Sequence, residues 1–272
     1  MSPLTLLNVQ AAAVILGPLA LGWWLRQRLA VSWRIWGWGA LTFLASQLAR
    51  LPFLFALTAL VNPLVSIDPN SPAVFWVNLL VLSLTAGLFE ESARWFVLQR
   101  FATSARGWRA AVMFGAGHGG VESMLIVGGS TIFGIVLLQL GDSMMAQTEG
   151  DLERSAVAAQ LDALRSLQWW EALLAIWERT AAMTFHIGAA VVVMQAVVSG
   201  QRIFWVVAVL GHALFNAAVL AALQFGGAVW AEIVATLFAL SAAYMILRFR
   251  WLERRQPADR LEVTDNGSAG SH

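Results

Sequence analysis

The sequence predicts an all-α protein, a polytopic bundle of about seven to eight membrane-spanning helices. Hydrophobic residues make up 59% of the 272-residue chain and charged residues only 12%, and the mean hydropathy is +0.69. These values lie outside the range of water-soluble domains. Apolar runs of about 20 residues, long enough to cross a bilayer, recur from the first residues to about position 250. We therefore expect one integral-membrane domain over residues 1–256 and a polar, disordered tail over 257–272.

Seven segments have the length and hydropathy of a membrane span. They are residues 4–25, 35–61, 72–99, 109–140, 169–198, 203–223 and 228–249. The first lacks the basic start and the cleavage site of a signal peptide, so we expect a retained helix. In the second, Arg50-Leu51-Pro52 predicts a kink, two half-helices, or an arginine that snorkels at a local break. The fourth is rich in glycine and predicts a tilted helix or a helix broken near Gly128-Gly129.

Arginines follow every odd-numbered span, and the loops after the even-numbered spans are acidic or uncharged. The arginines are Arg26, Arg28, Arg34, Arg100, Arg106, Arg109, Arg202, Arg248, Arg250, Arg254 and Arg255. The positive-inside rule then places the N-terminus outside and the C-terminus in the cytoplasm. The acidic segment 141–168 has apolar residues at helical spacing, which predicts an amphipathic helix on the outer surface.

Composition excludes several classes of function. The chain contains no cysteine, so a disulfide framework, a thiolate metal site and a cysteine nucleophile are all excluded. The net charge of +1 gives no indication of a nucleic-acid partner.

The spans contain a small set of ionisable and amide side chains. Those considered for a site are Glu90, Glu91, Arg94, His118, Glu122, Glu178, Arg179, His186, His212 and Asn216, and Glu232 lies near the outer face. A charge near the bilayer centre costs about 2.5 to 3.5 kcal/mol, so each requires a partner or a function. Counting about 1.5 Å per residue from the predicted cytoplasmic ends puts Glu90 and three of the four histidines in one layer. Such a layer suits an ion pathway, a metal site or a hydrolytic site, and a non-proteolytic transporter or scaffold stays an alternative to an enzyme.

Four spaced motifs resemble those of the CAAX-protease and bacteriocin-processing superfamily of intramembrane proteases. They are EESAR at 90–94, FGAGH at 114–118 continuing as GGVE to Glu122, the isolated His186, and HALFN at 212–216. The GHGGVE string most resembles the YhfC-type membrane peptidases, to which the PrsW-like proteases are related. Prenyl-protein endopeptidases tend to have one more residue between the glutamate pair and the arginine, and PrsW-like proteins have Glu in place of His118. These departures argue against prenylated CAAX substrates.

The resemblance implies a role for each matching residue. Glu90 with His118 would activate the attacking water, Glu91 and Arg94 would form a supporting ion pair, and His212 with Asn216 would donate hydrogen bonds to the oxyanion. The sequence does not decide whether Glu90 or Glu91 is the base, and we favour Glu90. His186 would orient water or bind the peptide carbonyl. Glu122 would orient His118 or hold helices together. Glu178 and Arg179 are interpreted as a structural pair nearer the outer end of their span.

The same residues could instead form a zinc site, because His118, His186, His212 and Glu90 make a competent ligand set. The sequence does not separate the two mechanisms, and we favour the metal-free one, in which a glutamate and a histidine act without a cofactor. The resemblance thus implies a multi-pass endopeptidase of the bacterial inner membrane that cuts on the cytoplasmic side of the bilayer. Its expected partners are the lipid bilayer and a membrane protein or membrane-bound peptide as substrate.

Overall fold

The computed structural model describes residues 1–61, 71–103, 105–148 and 150–255, and its regular structure within these ranges is helical throughout. The helices are α1 (Pro3–Leu29), α2 (Trp33–Val61), α3 (Pro72–Arg100), α4 (Trp108–Glu122), a π-helical segment (Ser123–Gly128), α5 (Gly129–Gln147), α6 (Asp151–Arg165), α7 (Trp169–Ser199), α8 (Ile203–Gly226) and α9 (Ala228–Arg255). Each predicted span lies inside one of these helices, α4 to α5 counting as one. The predicted tail, 257–272, lies outside the described residues.

Within the described ranges, seven helices are long and apolar enough to cross a membrane. This confirms the all-α, multi-pass fold class. The helices extend past several predicted spans because their arginine-bearing last turns stay helical beyond the apolar part. In α1 and α9 these turns hold Arg26 and Arg28, and Arg254 and Arg255.

The prediction of two half-helices in the second span is wrong, because α2 runs without interruption through Pro52. Proline removes one backbone hydrogen bond, and a membrane helix tolerates that loss. The fourth span also does not break at Gly128-Gly129. It continues through one π-helical segment that begins directly after Glu122, and such widened turns are frequent at functional sites.

The acidic segment contains the predicted helix, α6. Its residue Leu161 is completely buried and packs over Gly141 near the end of α5. An apolar face of α6 therefore holds this helix against the bundle.

Helix α7 lies at the centre of the bundle, since 67% of its apolar stretch is buried, against 6–28% in the other spans. The main apolar core packs around α4 and α7 in the half of the bundle that carries the basic helix ends. Met113, Phe114 and Val193 are completely buried there.

Two glycines allow the close helix crossings that build the polar centre. A methyl group on Gly39 of α2 would overlap the carbonyl oxygen of Phe114 in α4, and one on Gly87 of α3 would overlap the carbonyl oxygen of Val209 in α8. Small residues let helix backbones approach closely. The first crossing brings Thr42 to His118, and the second brings the Glu90-Glu91 pair to His212.

Candidate active site

The structure brings the predicted polar layer together around one point. Glu90 on α3, His118 on α4, His186 on α7 and His212 on α8 are all buried, each at most 5% exposed. The ring centres of His186 and His118 are 5.1 Å apart, and those of His186 and His212 are 5.2 Å apart. Four helices therefore contribute ionisable side chains to one small volume.

Glu91 and Arg94 form a completely buried pair beneath this centre. Nη1 of Arg94 donates to both carboxylate oxygens of Glu91 at 2.7 Å. Nδ1 of His212 lies 2.7 Å from Oε1 of Glu91. A carboxylate paired with arginine is ionised and only accepts hydrogen bonds, so Nδ1 of His212 carries the hydrogen. A neutral His212 then has its lone pair on Nε2, which lies 3.8 Å from Oε2 of Glu90.

Thr42 on α2 fixes the orientation of His118. Its hydroxyl donates to the carbonyl oxygen of Gly39 at 2.6 Å, and its oxygen lies 2.9 Å from Nδ1 of His118. Because the single hydroxyl hydrogen is used on Gly39, Nδ1 of His118 must donate to Thr42. Nε2 of a neutral His118 therefore also presents a lone pair, 3.0 Å from Oε2 of Glu90.

Three electron-rich atoms thus face one another: Nε2 of His118, Nε2 of His212 and Oε2 of Glu90. Their mutual repulsion is relieved only when a positive charge lies among them, either a proton or a metal cation. Hydrogen bonds to the opposite ring nitrogen are also how proteins orient histidines that bind metals.

His186 differs from the other two histidines. Nη2 of Arg94 lies 3.3 Å from its Nδ1, and because a guanidinium can only donate, Nδ1 accepts and Nε2 carries the hydrogen. Nε2 lies 2.6 Å from Oε2 of Glu122, which is within hydrogen-bonding distance. This close polar contact joins Glu122 to α7 at the centre of the site.

Glu122 contacts α7 and not His118, so of its two expected roles the structure fits the one that holds helices together. Its other oxygen, Oε1, accepts from Nη1 of Arg179 at 3.4 Å, and Arg179 also pairs with Glu178. Glu178 and Arg179 do form the expected pair, and Arg179 also connects that pair to Glu122. Arg179 and His186 are seven residues apart on α7, which is two turns, so they share one face.

A cavity of about 370 Å³ adjoins this centre. Its polar lining comprises Gln47, Arg50, Ser83, Glu90, Glu122, Glu178, Arg179, His212 and Asn216. Most of these residues lie on the side of Glu90 away from the basic helix ends, whereas the apolar core closes the other side. The cavity therefore extends away from the basic helix ends.

Sequence reasoning missed the contribution of α2. Besides Thr42, Gln47 donates from Nε2 to Oε1 of Glu90 at 3.1 Å. Arg50 lies on the cavity wall and donates to the carbonyl oxygen of Leu82 at 2.8 Å. The detectable signal was the run TFLASQLAR at 42–50, in which polar residues recur along a membrane span.

The donor set fits a divalent metal ion. Ligand atoms of Glu90, His118, Glu122 and His186 lie within 4.8 Å of one another. Distance alone would include His186, but the hydrogen bond from Arg94 puts a hydrogen on its Nε2, so we exclude it. The lone pairs of His118 and His212 with the carboxylate of Glu90 then make a set of two imidazoles and one carboxylate, a combination that is known from catalytic zinc sites.

Comparison with known proteins agrees with the motifs. A family model described as YhfC intramembrane metalloprotease matches residues 13–239. The membrane protein YhfC of Bacillus subtilis (strain 168) is 30% identical over 251 residues, which cover 89% of this chain and 94% of that protein. No solved structure matches the chain.

Proposed function

The chain belongs to the YhfC intramembrane metalloprotease family, as its motifs predicted, and we propose that it hydrolyses a peptide bond of a membrane protein or membrane-bound peptide inside the bundle. One observation supports the proposed hydrolysis most directly. Hydrogen bonds from Nδ1 orient the Nε2 atoms of both His118 and His212 toward Oε2 of Glu90.

We propose that His118, His212 and Glu90 hold a divalent cation, with zinc as the first candidate. The family description names a metalloprotease and does not support the metal-free preference drawn from the sequence. When bound, such a cation supplies a Lewis acid that polarises the peptide carbonyl and activates water. Gln47 holds the second oxygen of Glu90 and so keeps the first oxygen directed at the two imidazoles.

In this proposal Glu122 is the base. One of its carboxylate oxygens lies within 4.8 Å of ligand atoms of Glu90 and His118, and the carboxylate can accept a proton from the attacking water and pass it to the leaving amine. Arg179 and His186 hold the carboxylate in place from α7. Asn216 lies one turn after His212 and lines the cavity, so its amide is positioned to donate to the developing oxyanion.

A metal-free mechanism is the second candidate, and one distance favours it. Nε2 of His118 and Oε2 of Glu90 are 3.0 Å apart, close enough to share a proton directly. In that mechanism Glu90 takes the proton from water, and Asn216 donates to the oxyanion together with His212, whose Nε2 must then be protonated because its Nδ1 hydrogen is donated to Glu91. The two mechanisms therefore give Glu90 and Glu122 different roles.

Two glutamine variants separate these mechanisms. Wild type, Glu90→Gln, Glu122→Gln and the exposed control Glu153→Gln on α6 are purified, and bound metal is measured by mass spectrometry. Peptide cleavage is measured in proteoliposomes with a pool of quenched peptides derived from transmembrane segments. We expect one metal ion per wild-type chain, loss of metal and activity in Glu90→Gln, and retention of metal in Glu122→Gln with activity reduced by about 10²- to 10⁴-fold.

Other outcomes would decide against this assignment. Wild-type activity in Glu90→Gln would remove that residue from the mechanism. Active metal-free protein, with Glu122→Gln active and Glu90→Gln inactive, would establish the metal-free mechanism. Ion flux that depends on the same residues, with no peptide cut, would identify a transporter.

We also propose that the protein lies in the bacterial inner membrane with its C-terminus in the cytoplasm. The positions of the arginines support this orientation. Fusion of alkaline phosphatase to the C-terminus should give no phosphatase activity, and fusion of green fluorescent protein should fluoresce. The opposite pair of results would reverse the topology.

A further inference from the structure

Arg50 is a cation on the cavity wall, and it has no acidic partner within 4 Å among the described residues. It lies 17 residues after the first residue of α2, about 25 Å along the helix axis. Its guanidinium donates to the carbonyl oxygen of Leu82 at 2.8 Å, to Oγ1 of Thr85 at 3.2 Å and to Oε1 of Gln47 at 3.4 Å. All three acceptors are neutral. Among the described residues, no carboxylate oxygen lies within 4 Å of this guanidinium.

The other two arginines of the polar centre do have acidic partners. Arg94 pairs with Glu91, and Arg179 pairs with Glu178 and Glu122. An unpaired charge inside a membrane protein is costly and commonly marks a site for a ligand. An arginine has five N–H hydrogens, and three bonds leave two of them for a group that enters the cavity.

The position of Arg50 relates it to the reaction. Gln47 accepts from Arg50 with its oxygen and donates to Glu90 at 3.1 Å with its nitrogen, so one side-chain amide separates the guanidinium from the catalytic carboxylate. Two hydrogen bonds and an amide span roughly 6 to 8 Å. An extended peptide covers this distance with about two residues, at about 3.3 Å per residue.

We propose that Arg50 binds a carboxylate of the substrate, about two residues from the bond that is cut. This proposal rests on the proposed proteolytic function and adds a substrate preference to it. The carboxylate is either an acidic side chain or the free C-terminus of a peptide, and both match the planar pair of N–H groups that arginine offers. A substrate acid would also provide the counter-charge that Arg50 does not have within the described part of the chain.

Two matched pairs of quenched peptides test the proposal. The first pair differs only in Asp against Asn near the cut site, and the second only in a free against an amidated C-terminus. Cleavage of all four is measured in proteoliposomes with wild type, Arg50→Gln, Arg50→Lys and the control Arg202→Gln, which removes an exposed charge at the start of α8. Binding of the same peptides, labelled with dansyl, is measured by fluorescence.

Wild type and Arg202→Gln should favour the acidic member of one pair by about tenfold or more in binding and in kcat/KM. Arg50→Gln should lose this preference, and Arg50→Lys should keep part of it because the charge remains. The pair that responds identifies the source of the carboxylate. Arg50→Lys also tests the proposal if Arg50→Gln does not fold.

The proposal is refuted if wild type shows no acid preference in either pair, or if Arg50→Gln keeps the preference. Failure of the proposed function has a different signature, because no peptide would then be cut by any variant. The binding assay still decides on Arg50 in that case, since it requires no turnover.

Discussion

Replacing Thr42 with valine would remove the group that orients His118 and would change little else. Thr42 is completely buried, donates to Gly39 and accepts from Nδ1 of His118. Valine has nearly the same shape but no hydroxyl, so the Nδ1–H of the equally buried His118 would lose its acceptor. The ring can respond by rotating or by moving its hydrogen to Nε2. Either response removes the lone pair that faces Glu90.

The expected size of the effect follows from these contacts. A buried donor without a partner costs about 1–3 kcal/mol of folding stability. Loss of the hydrogen bond that orients a metal-binding histidine typically reduces metal affinity or activity by about 10- to 100-fold. We therefore expect Thr42→Val to lower the unfolding temperature moderately and to weaken metal binding and peptide cleavage by about that factor.

Metal affinity is measured by competition with a chelator, and activity with the peptides described above. Thr131→Val is the matched control, because Thr131 is also buried and accepts from Gln10 at 2.8 Å, but on α5, away from the site. It should lose stability and keep metal affinity. Thr42→Ser, which keeps the hydroxyl, should have the stability and the metal affinity of the wild type. Wild-type metal affinity and activity in a destabilised Thr42→Val variant would refute the proposed orientation of His118.

Three further predictions concern the packing around the site. Glu91→Gln should lower stability by about 3–5 kcal/mol because it leaves Arg94 buried and unpaired, and a Glu91→Gln/Arg94→Met variant should unfold at a higher temperature than the single variant. Gly39→Ala should reduce the yield of folded protein in detergent, whereas Gly37→Ala on the same helix, with open space around it, should match wild type. Leu161→Ala should expose α6 to added protease, since this side chain packs α6 against α5; unchanged proteolysis would contradict that packing.

Much of the fold was predictable because each span is an apolar run between charged ends. The convergence of Glu90, His118, His186 and His212 was also visible, since topology and helical rise put them at one depth. Hydropathy and the i,i+4 rule need no tertiary information. The structure differs from the prediction where contacts between distant segments determine the position of a side chain.

Thr42 illustrates what the sequence could not show. A threonine in a membrane helix satisfies its hydroxyl on its own backbone, so it gives no signal until a crossing helix brings a histidine to it. The same reason explains Glu122, which shares a helix face with His118 but pairs with α7 directly before the π-helical segment begins. Arg50 was attributed to a local break because Pro52 follows closely. Its position on the cavity wall depends on how α2 packs against α3.

The pairing of charges explains why the centre requires a cation. Glu91 is paired with Arg94 and Glu122 with Arg179, but among the described residues Glu90 is contacted only by the amide of Gln47 and by two imidazoles, and it has no adjacent counter-charge when both imidazoles are neutral. A buried carboxylate without a counter-charge costs several kcal/mol. A proton on His118 or a metal ion held with His118 and His212 would both supply that charge at the same point. The glutamate and metal mechanisms therefore differ in whether a proton or a metal ion supplies the positive charge next to Glu90. The metal content of the folded protein decides between them.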